Sequence, residues 1–226
     1  MKPKSLISKI NWPTNVEEAK PIQESLAHEV RLAPLEKEIT TIAGVDAAFS
    51  GELIIAAVSL FDFNTLSLLD ETHAIMETPF PYIPGYLSFR EAPAILSAIE
   101  KLSHPPDLFI VDGQGIAHPR RIGIASFLGV LMKLPTIGCA KSRLVGKYEE
   151  PAPGKGSWSP LIDKGETVGA VLRTRDRVRP VFVSPGHLIT LPEAIDVILH
   201  CATKYRLPEP QRAADALAGR VKREAG

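Results

Sequence analysis

Asp46 in "IAGVDAAF" and Asp112 in "LFIVDGQG" are carboxylates set into runs that are otherwise nearly free of polar groups. A buried carboxylate is costly unless it is paired, hydrogen-bonded or bound to a cation. Each therefore belongs either to a structural network of backbone amides or an arginine, or to a cation site. Two further carboxylates raise the same question. Glu91 closes the Ser-x-x-Glu pattern of "SFRE", a capping box ahead of an apolar helix, and gains a chemical role only if it converges with the aspartates. Asp215, in "PQRAADALAG", reads on its own as a solvated helix residue. Three or four carboxylates from separate elements would suit Mg²⁺ or Mn²⁺, hard ions that prefer carboxylate and water oxygens and keep open positions for phosphate. Zinc fits poorly, because no Cys/His pair has ligand spacing.

Cationic and glycine-rich stretches flank these carboxylates. "DGQGIAHPRRIG" places two glycines directly after Asp112, followed by His118, Arg120 and Arg121. Glycines let the backbone approach a ligand closely, and exposed amides can read a base edge or a phosphate. The alternative is a plain strand-to-helix turn. "CAKSRLVGK" supplies Lys141, Arg143 and Lys147 near a strand end, where Lys141 points either into a cleft beside the aspartates or out to solvent. In "RTRDRVRP", Arg173, Arg175, Arg177 and Arg179 alternate, so an extended chain would carry all four on one side. Such a row is either a charged, protective sheet edge or a phosphate track.

The elements that must position these groups follow from patterning. "VEEAKPIQESLAHEV" is expected to be helical, with Pro21 as a start or a kink. "TTIAGVDAAF", "LIIAAVSLFD" and "LSLLDETHAIM" read as three strands split by turns at Ser50-Gly51 and Asn64-Thr65. The loop "PFPYIPGYLSFRE" is stiff, aromatic and uncharged until Arg90, and leads into a helix "SFREAPAILSAIEKLSH". "LFIVDG" reads as a buried strand and "RRIGIASFLGVLMKL" as a helix over it, followed by a strand "TIGCAK" and a loop "GKYEEPAPGKGSWSP". Strands "TVGAVLRTRD" and "PVFVSPG" and helices "LPEAIDVILHCATKY" and "PEPQRAADALAGRVKREA" complete the chain. An antiparallel start followed by alternating strands and helices implies a mixed α/β sheet covered by helices.

The totals set bounds on this reading. The chain has 226 residues, 45% apolar and 23% charged, which is ordinary for one globular domain spanning residues 1–226. The 26 Lys plus Arg equal the 26 Asp plus Glu, which argues against a strongly basic nucleic-acid binder but not against a local basic face. No apolar run is long enough for a bilayer span, and the N-terminus lacks the apolar stretch of a secretory signal. Cys139 and Cys201 sit in apolar settings and read as reduced, buried thiols of a cytoplasmic protein.

Taken together, "IAGVDAAF", "PYIPGYLSFREAPAIL", "DLFIVDGQGIAHPRRIGIASFLGVLMKLPTIGCAKSRLVG", "VGAVLRTRDRVRPVFVSPGH" and "RLPEPQRAADAL" resemble endonuclease V, the deoxyinosine-directed repair nuclease family, in the family's own order. The resemblance implies a ribonuclease-H-like fold with helices on both faces of the sheet. It also implies Mg²⁺-dependent hydrolysis, with Mn²⁺ as a substitute, of DNA one nucleotide 3′ of a deaminated purine, leaving a 3′-hydroxyl and a 5′-phosphate. Carried over, the metal-binding carboxylates are Asp46, Asp112 and Glu91, with Asp215 as a further candidate at a position where members carry His or Asp. Lys141 is the catalytic lysine. Gly85, Leu87, Gly113, Gly115 and Ile124 line the base pocket, and Pro81, Tyr82, Ile83 and Pro84 form a wedge that enters the duplex. His118, Arg120, Arg143 and Arg175 are expected DNA contacts. A monomer that acts on DNA with deaminated bases and has no membrane partner is the expected form. Two other readings stay open: a related nuclease preferring inosine in RNA, and a non-catalytic nucleic-acid binder, against which the full set of carboxylates and lysine speaks.

Overall fold

Strand β1 (Thr41–Ser50) pairs antiparallel with β2 (Leu53–Asp62), which pairs antiparallel with β3 (Leu68–Glu77). β2 is buried along nearly its whole length, as its unbroken apolar sequence requires for a strand covered on both faces. The computed structural model describes residues 6–225. Five further strands complete one open sheet: β4 (Leu108–Val111), β5 (Thr136–Ala140), β6 (Trp158–Asp163), β7 (Glu166–Leu172) and β8 (Val181–His187). Their order is β3-β2-β1-β4-β5-β8-β7-β6. Only the β1–β4 and β4–β5 pairs are parallel; every other pair is antiparallel.

The two sheet faces carry separate helices. One face buries Ala43, Val45, Ile54, Ala56 and Val58 against α2 (Leu87–Ile99) and α3 (Ile124–Met132), with α1 (Val16–His28) beyond them. The alternate residues of the same strands face the other way. Ile42, Leu108 and Ile110 pack with α4 (Leu191–Cys201), and Ile55 and Ala57 meet Leu217, Ala218 and Val221 of α5 (Glu209–Ala225). This is the period of two at work, and it is why strands that must satisfy both faces are apolar throughout. Both cysteines are buried free thiols, as expected, and among the described residues no helix is long and apolar enough to cross a membrane.

One close approach brings α5 to its place. Gly44 of β1 lies directly beneath the start of α5, where a Cβ would stand 2.0 Å from the backbone of Pro210. Only glycine permits that approach. Gln211, fully buried, donates from Nε2 to the Cys139 carbonyl at 2.9 Å and pins the same turn over β5.

Three expectations need correction. The stretch expected to be one loop, 146–160, ends in a strand: β6 forms the sheet's outer edge, with Trp158, Pro160 and Ile162 facing out. Proline is tolerated on an edge strand, so Pro160 disguised it, whereas the two-residue turn at Lys164-Gly165, both left-handed, was the legible hairpin signal. β7 stops at Leu172, before the arginine row, and Arg177 takes a left-handed conformation. The extended run that would align four arginines therefore does not exist. Arg173 instead donates to the carbonyls of Pro151, Ala152 and Val178 and pairs with Glu150. Finally, α2 begins at Leu87 with Tyr86 as its N-cap and no side-chain cap, so Ser88-Glu91 is not a capping box. Ser88 and Glu91 are both buried, Glu91 with only 8% of its surface exposed.

Candidate active site

The parallel centre of the sheet brings three strand ends together. Val45 pairs with Val111 and Val111 with Gly138, so Asp112 and Lys141 follow directly on the carboxyl ends of β4 and β5, and Asp46, midway along β1, comes one residue past the point where β1 stops pairing with β4. Ligand sites in α/β sheets lie outside such ends. The Asp112 amide donates to the Val45 carbonyl at 2.9 Å and continues the ladder one step past β4. Asp215 arrives from α5, four residues and about one helical turn after the pinned Gln211.

Carboxylate oxygens of Asp46, Asp112 and Asp215 all lie within 4.8 Å of one another. The Lys141 ammonium stands among them, with Nζ 2.7 Å from Asp112 Oδ2 and 2.9 Å from Asp215 Oδ1. Burial and the neighbouring Asp112 push Asp46 up to about 8, while Lys141 works against that shift. Asp215 is held low, first by the hydrogen bond from Lys141 and also by one from the Asp46 carboxyl. Of the two, the more buried Asp46 is the one whose proton is favoured. Lys141 is itself raised above the ordinary lysine range, because its bonds to Asp112 and Asp215 outweigh its desolvation. Glu91 stands outside the triple but feels it: burial first, then Asp46 and Asp112, push it to about 8.

Such a donor set fits a hard divalent cation. Three carboxylates at this spacing with a single ammonium among them leave negative charge that a water-coordinating ion would neutralise. The observed ammonium occupies the place of positive charge there.

The glycine-rich loop after Asp112 packs down rather than standing free. The Gly115 amide donates to Ser184 Oγ at 2.7 Å, and Gln114 donates from Nε2 to the Ser142 carbonyl at 3.0 Å, next to Lys141. Ile124, the first residue of α3, faces Gly113 closely enough that a Cβ there would meet its Cγ2 at 2.5 Å. The loop at 79–86 divides its aromatics. Phe80 and Tyr86 are buried and stack with Phe89, whereas Tyr82 is 72% exposed between exposed Pro81 and Pro84. Ile83 is half-buried against the core, Gly85 lies in the turn and Leu87 opens α2.

The four expected DNA-contacting cations fare differently. Arg143 is exposed and donates to the Gly146 carbonyl at 3.0 Å. Arg175 is tied to the Lys204 carbonyl. His118 and Arg120 turn inward, onto Gly85. Asp215 was the residue that sequence undervalued: a single carboxylate on an amphipathic helix carries no local mark of its partners. Gln23, Gln114, Ser184, Arg206 and Gln211 also escaped notice. Arg206 donates to the Lys141 carbonyl at 3.0 Å. An apolar groove of about 700 Å³ between α1 and α3 shares no residue with this cluster.

Comparison with known proteins places these features in one family. The endonuclease V family model matches residues 24–216. An endonuclease V of Rippkaea orientalis is 57% identical over 91% of this chain and 91% of its own length. The crystal structure of endonuclease V from Streptomyces avermitilis superposes with a TM-score of 0.91 at 43% identity, covering 95% of this chain and 96% of that one. That of Ciona intestinalis endonuclease V, in complex with a 24mer DNA containing an inosine followed by a ribo-adenosine, superposes with a TM-score of 0.82 at 26% identity, covering 93% and 99%.

Proposed function

The chain belongs to the endonuclease V family, and from that premise we propose that it nicks DNA carrying a deaminated purine, deoxyinosine above all. The cut falls one nucleotide 3′ of the lesion and leaves a 3′-hydroxyl and a 5′-phosphate. One observation carries the reading: Asp46, Asp112 and Asp215 converge around the Lys141 ammonium, directly before the glycine loop that follows Asp112. A binding module has no use for so expensive a cluster of like charges.

Asp46, Asp112 and Asp215 are the residues that would hold Mg²⁺ or Mn²⁺, with Glu91 behind them. When bound, such an ion offsets charge on the scissile phosphate and lowers the pKa of water. Lys141 cannot serve as a base near neutral pH, since its pKa is raised, so its part is to place a fixed positive charge beside the phosphate. Glu91, buried behind the cluster and pushed up to about 8 chiefly by burial, would orient the attacking water.

Base selection rests on extrusion. A mismatched hypoxanthine is cheaper to unstack than a paired adenine. Tyr82, held between two prolines that fix the backbone dihedrals, is an apolar wedge that loses little entropy on meeting a duplex. Gly85, Leu87, Gly113, Gly115 and Ile124 form the pocket, whose backbone groups accept hypoxanthine and leave the exocyclic amine of guanine unpaired or excluded. The ribo-adenosine in the Ciona ligand favours a second reading, inosine in RNA. Matched inosine and guanine duplexes, in DNA and in RNA, incubated with Mg²⁺ or with EDTA, separate the two. Nicking of inosine DNA only with Mg²⁺ is expected; exclusive RNA cleavage, or binding without cleavage, would overturn the proposal.

A further inference from the structure

The Gly85 carbonyl sits at the junction between the 81–84 tip and α2, and three side chains from two distant segments converge on it. Gln23 of α1 donates from Nε2 at 2.9 Å, and Arg120 donates from Nη2 at 2.6 Å. The His118 ring hydrogen-bonds the same backbone, while its Nδ1 accepts from the Arg120 amide at 3.2 Å. With Nδ1 accepting, the neutral ring carries its proton on Nε2, the form that donates. Arg120 also donates from Nε to the Gln23 carboxamide oxygen, and its guanidinium lies over the Tyr86 ring, 4.2 Å from the centroid.

These groups are buried to an unusual degree for polar side chains. Gln23 is fully buried and His118 is 4% exposed. Gly85 has φ +83°, a left-handed conformation that glycine alone adopts cheaply, and a Cβ there would meet Arg120 Nη2 at 2.7 Å. The turn is therefore fixed from outside, by donors, and from within, by its backbone. The same loop that supplies His118 and Arg120 begins with Gly113 and Gly115 and ends at Ile124.

We propose that Gln23, Arg120 and His118 act together as a clamp on the Gly85 carbonyl, positioning residues that set where the 81–84 wedge stands relative to the 113–124 base loop. On this view α1, which contributes nothing to the acidic cluster, belongs to the specificity machinery. His118 and Arg120 then serve the nucleic acid through the protein's own backbone rather than by touching it. Gln23 is the hinge of the arrangement, because it alone both donates to Gly85 and accepts from Arg120. The inference rests on the proposed inosine-directed nicking, and it deepens that reading by naming what holds the recognition parts in register.

Gln23→Leu removes both bonds with little change of volume, and Gln23→Glu keeps the acceptor for Arg120 while losing the donor to Gly85. Steady-state nicking of otherwise identical inosine and guanine duplexes reads kcat and KM for each protein, and thermal melting reads stability. The clamp predicts a fall in inosine-over-guanine selectivity of roughly tenfold in both variants, the worth of the buried hydrogen bond that each loses at Gly85, with the Mg²⁺ dependence of the residual nicking unchanged. Unchanged selectivity in either folded variant overturns it, as does an equal loss on both duplexes accompanied by a falling melting temperature, the mark of a structural role. Should Gln23→Leu fail to fold, Gln23→Glu decides alone. A wild-type protein that fails to nick inosine DNA at all refutes the proposed function instead, so the two failures are distinguishable.

Discussion

At the scale of single residues, the site is defined by which carboxyl keeps a proton. Asp46 and Glu91 are both pushed up to about 8, chiefly by burial and then by one another's neighbours. Each raised pKa contributes stability to the metal-free fold below the ordinary carboxylate range near 4, and that contribution is lost as pH rises through about 8. The metal-free protein should therefore melt at a lower temperature at pH 9 than at pH 6, apart from its other titrations, and Asp46→Asn should reduce the difference. Cation binding displaces these protons, so the rise in melting temperature caused by Mg²⁺ should grow with pH, up to about tenfold in affinity per pH unit for each proton released. Melting curves with and without Mg²⁺ from pH 6 to 9 check the sign; a Mg²⁺ effect that shrinks as pH rises would refute it. Asp46 and Asp112 were legible in the sequence because a charge stands out in an apolar strand. Asp215 was not, because its significance lies in Gly44 and Gln211, which bring its helix over the sheet.

Elements carry the next layer of control. α5 reaches the cluster only because β1 offers Gly44 at the crossing. Gly44→Ala forces Pro210 and its turn outward, at a cost of about 1–3 kcal/mol for overpacking, and should lower nicking more than it lowers DNA binding, since Asp215 moves with the helix. Comparing binding with single-turnover nicking tests this; equal losses would mean general damage. The 79–86 loop makes the opposite prediction. Tyr82 is exposed while Phe80 and Tyr86 anchor the loop, so Tyr82→Ala should change stability by no more than about 0.5 kcal/mol and yet weaken preference for inosine. A large drop in melting temperature with preference intact would make Tyr82 a packing residue. Most strands and helices were readable from periodicity, because strands covered on both faces must be apolar. β6 and the arginine row misled for the same reason: an exposed edge and a turn obey local bonds, here Arg173 to three carbonyls, rather than any periodic demand.

On the scale of the whole molecule, the site draws on β1, β4, β5, α2 and α5, so residues 46 to 215 must all be in place before any chemistry is available. The mixed sheet order achieves this by setting β1, β4 and β5 side by side in parallel, with helices from both faces closing around them. The strand alternation announced a helix-covered mixed sheet, but spatial order across the β5–β8 crossover has no local signature. Under the proposed function, zero net charge implies that nucleic acid would be held by local groups rather than drawn in by a long-range field. The most direct test of the account is Mg²⁺-dependent nicking of an inosine-containing DNA duplex by the wild-type protein and by Asp46→Ala, each first shown to be folded. The account predicts a nick one nucleotide 3′ of inosine that EDTA abolishes, reduced at least about a hundredfold by the substitution, because several kcal/mol of charge stabilisation are at stake. Undiminished nicking by folded Asp46→Ala would contradict it.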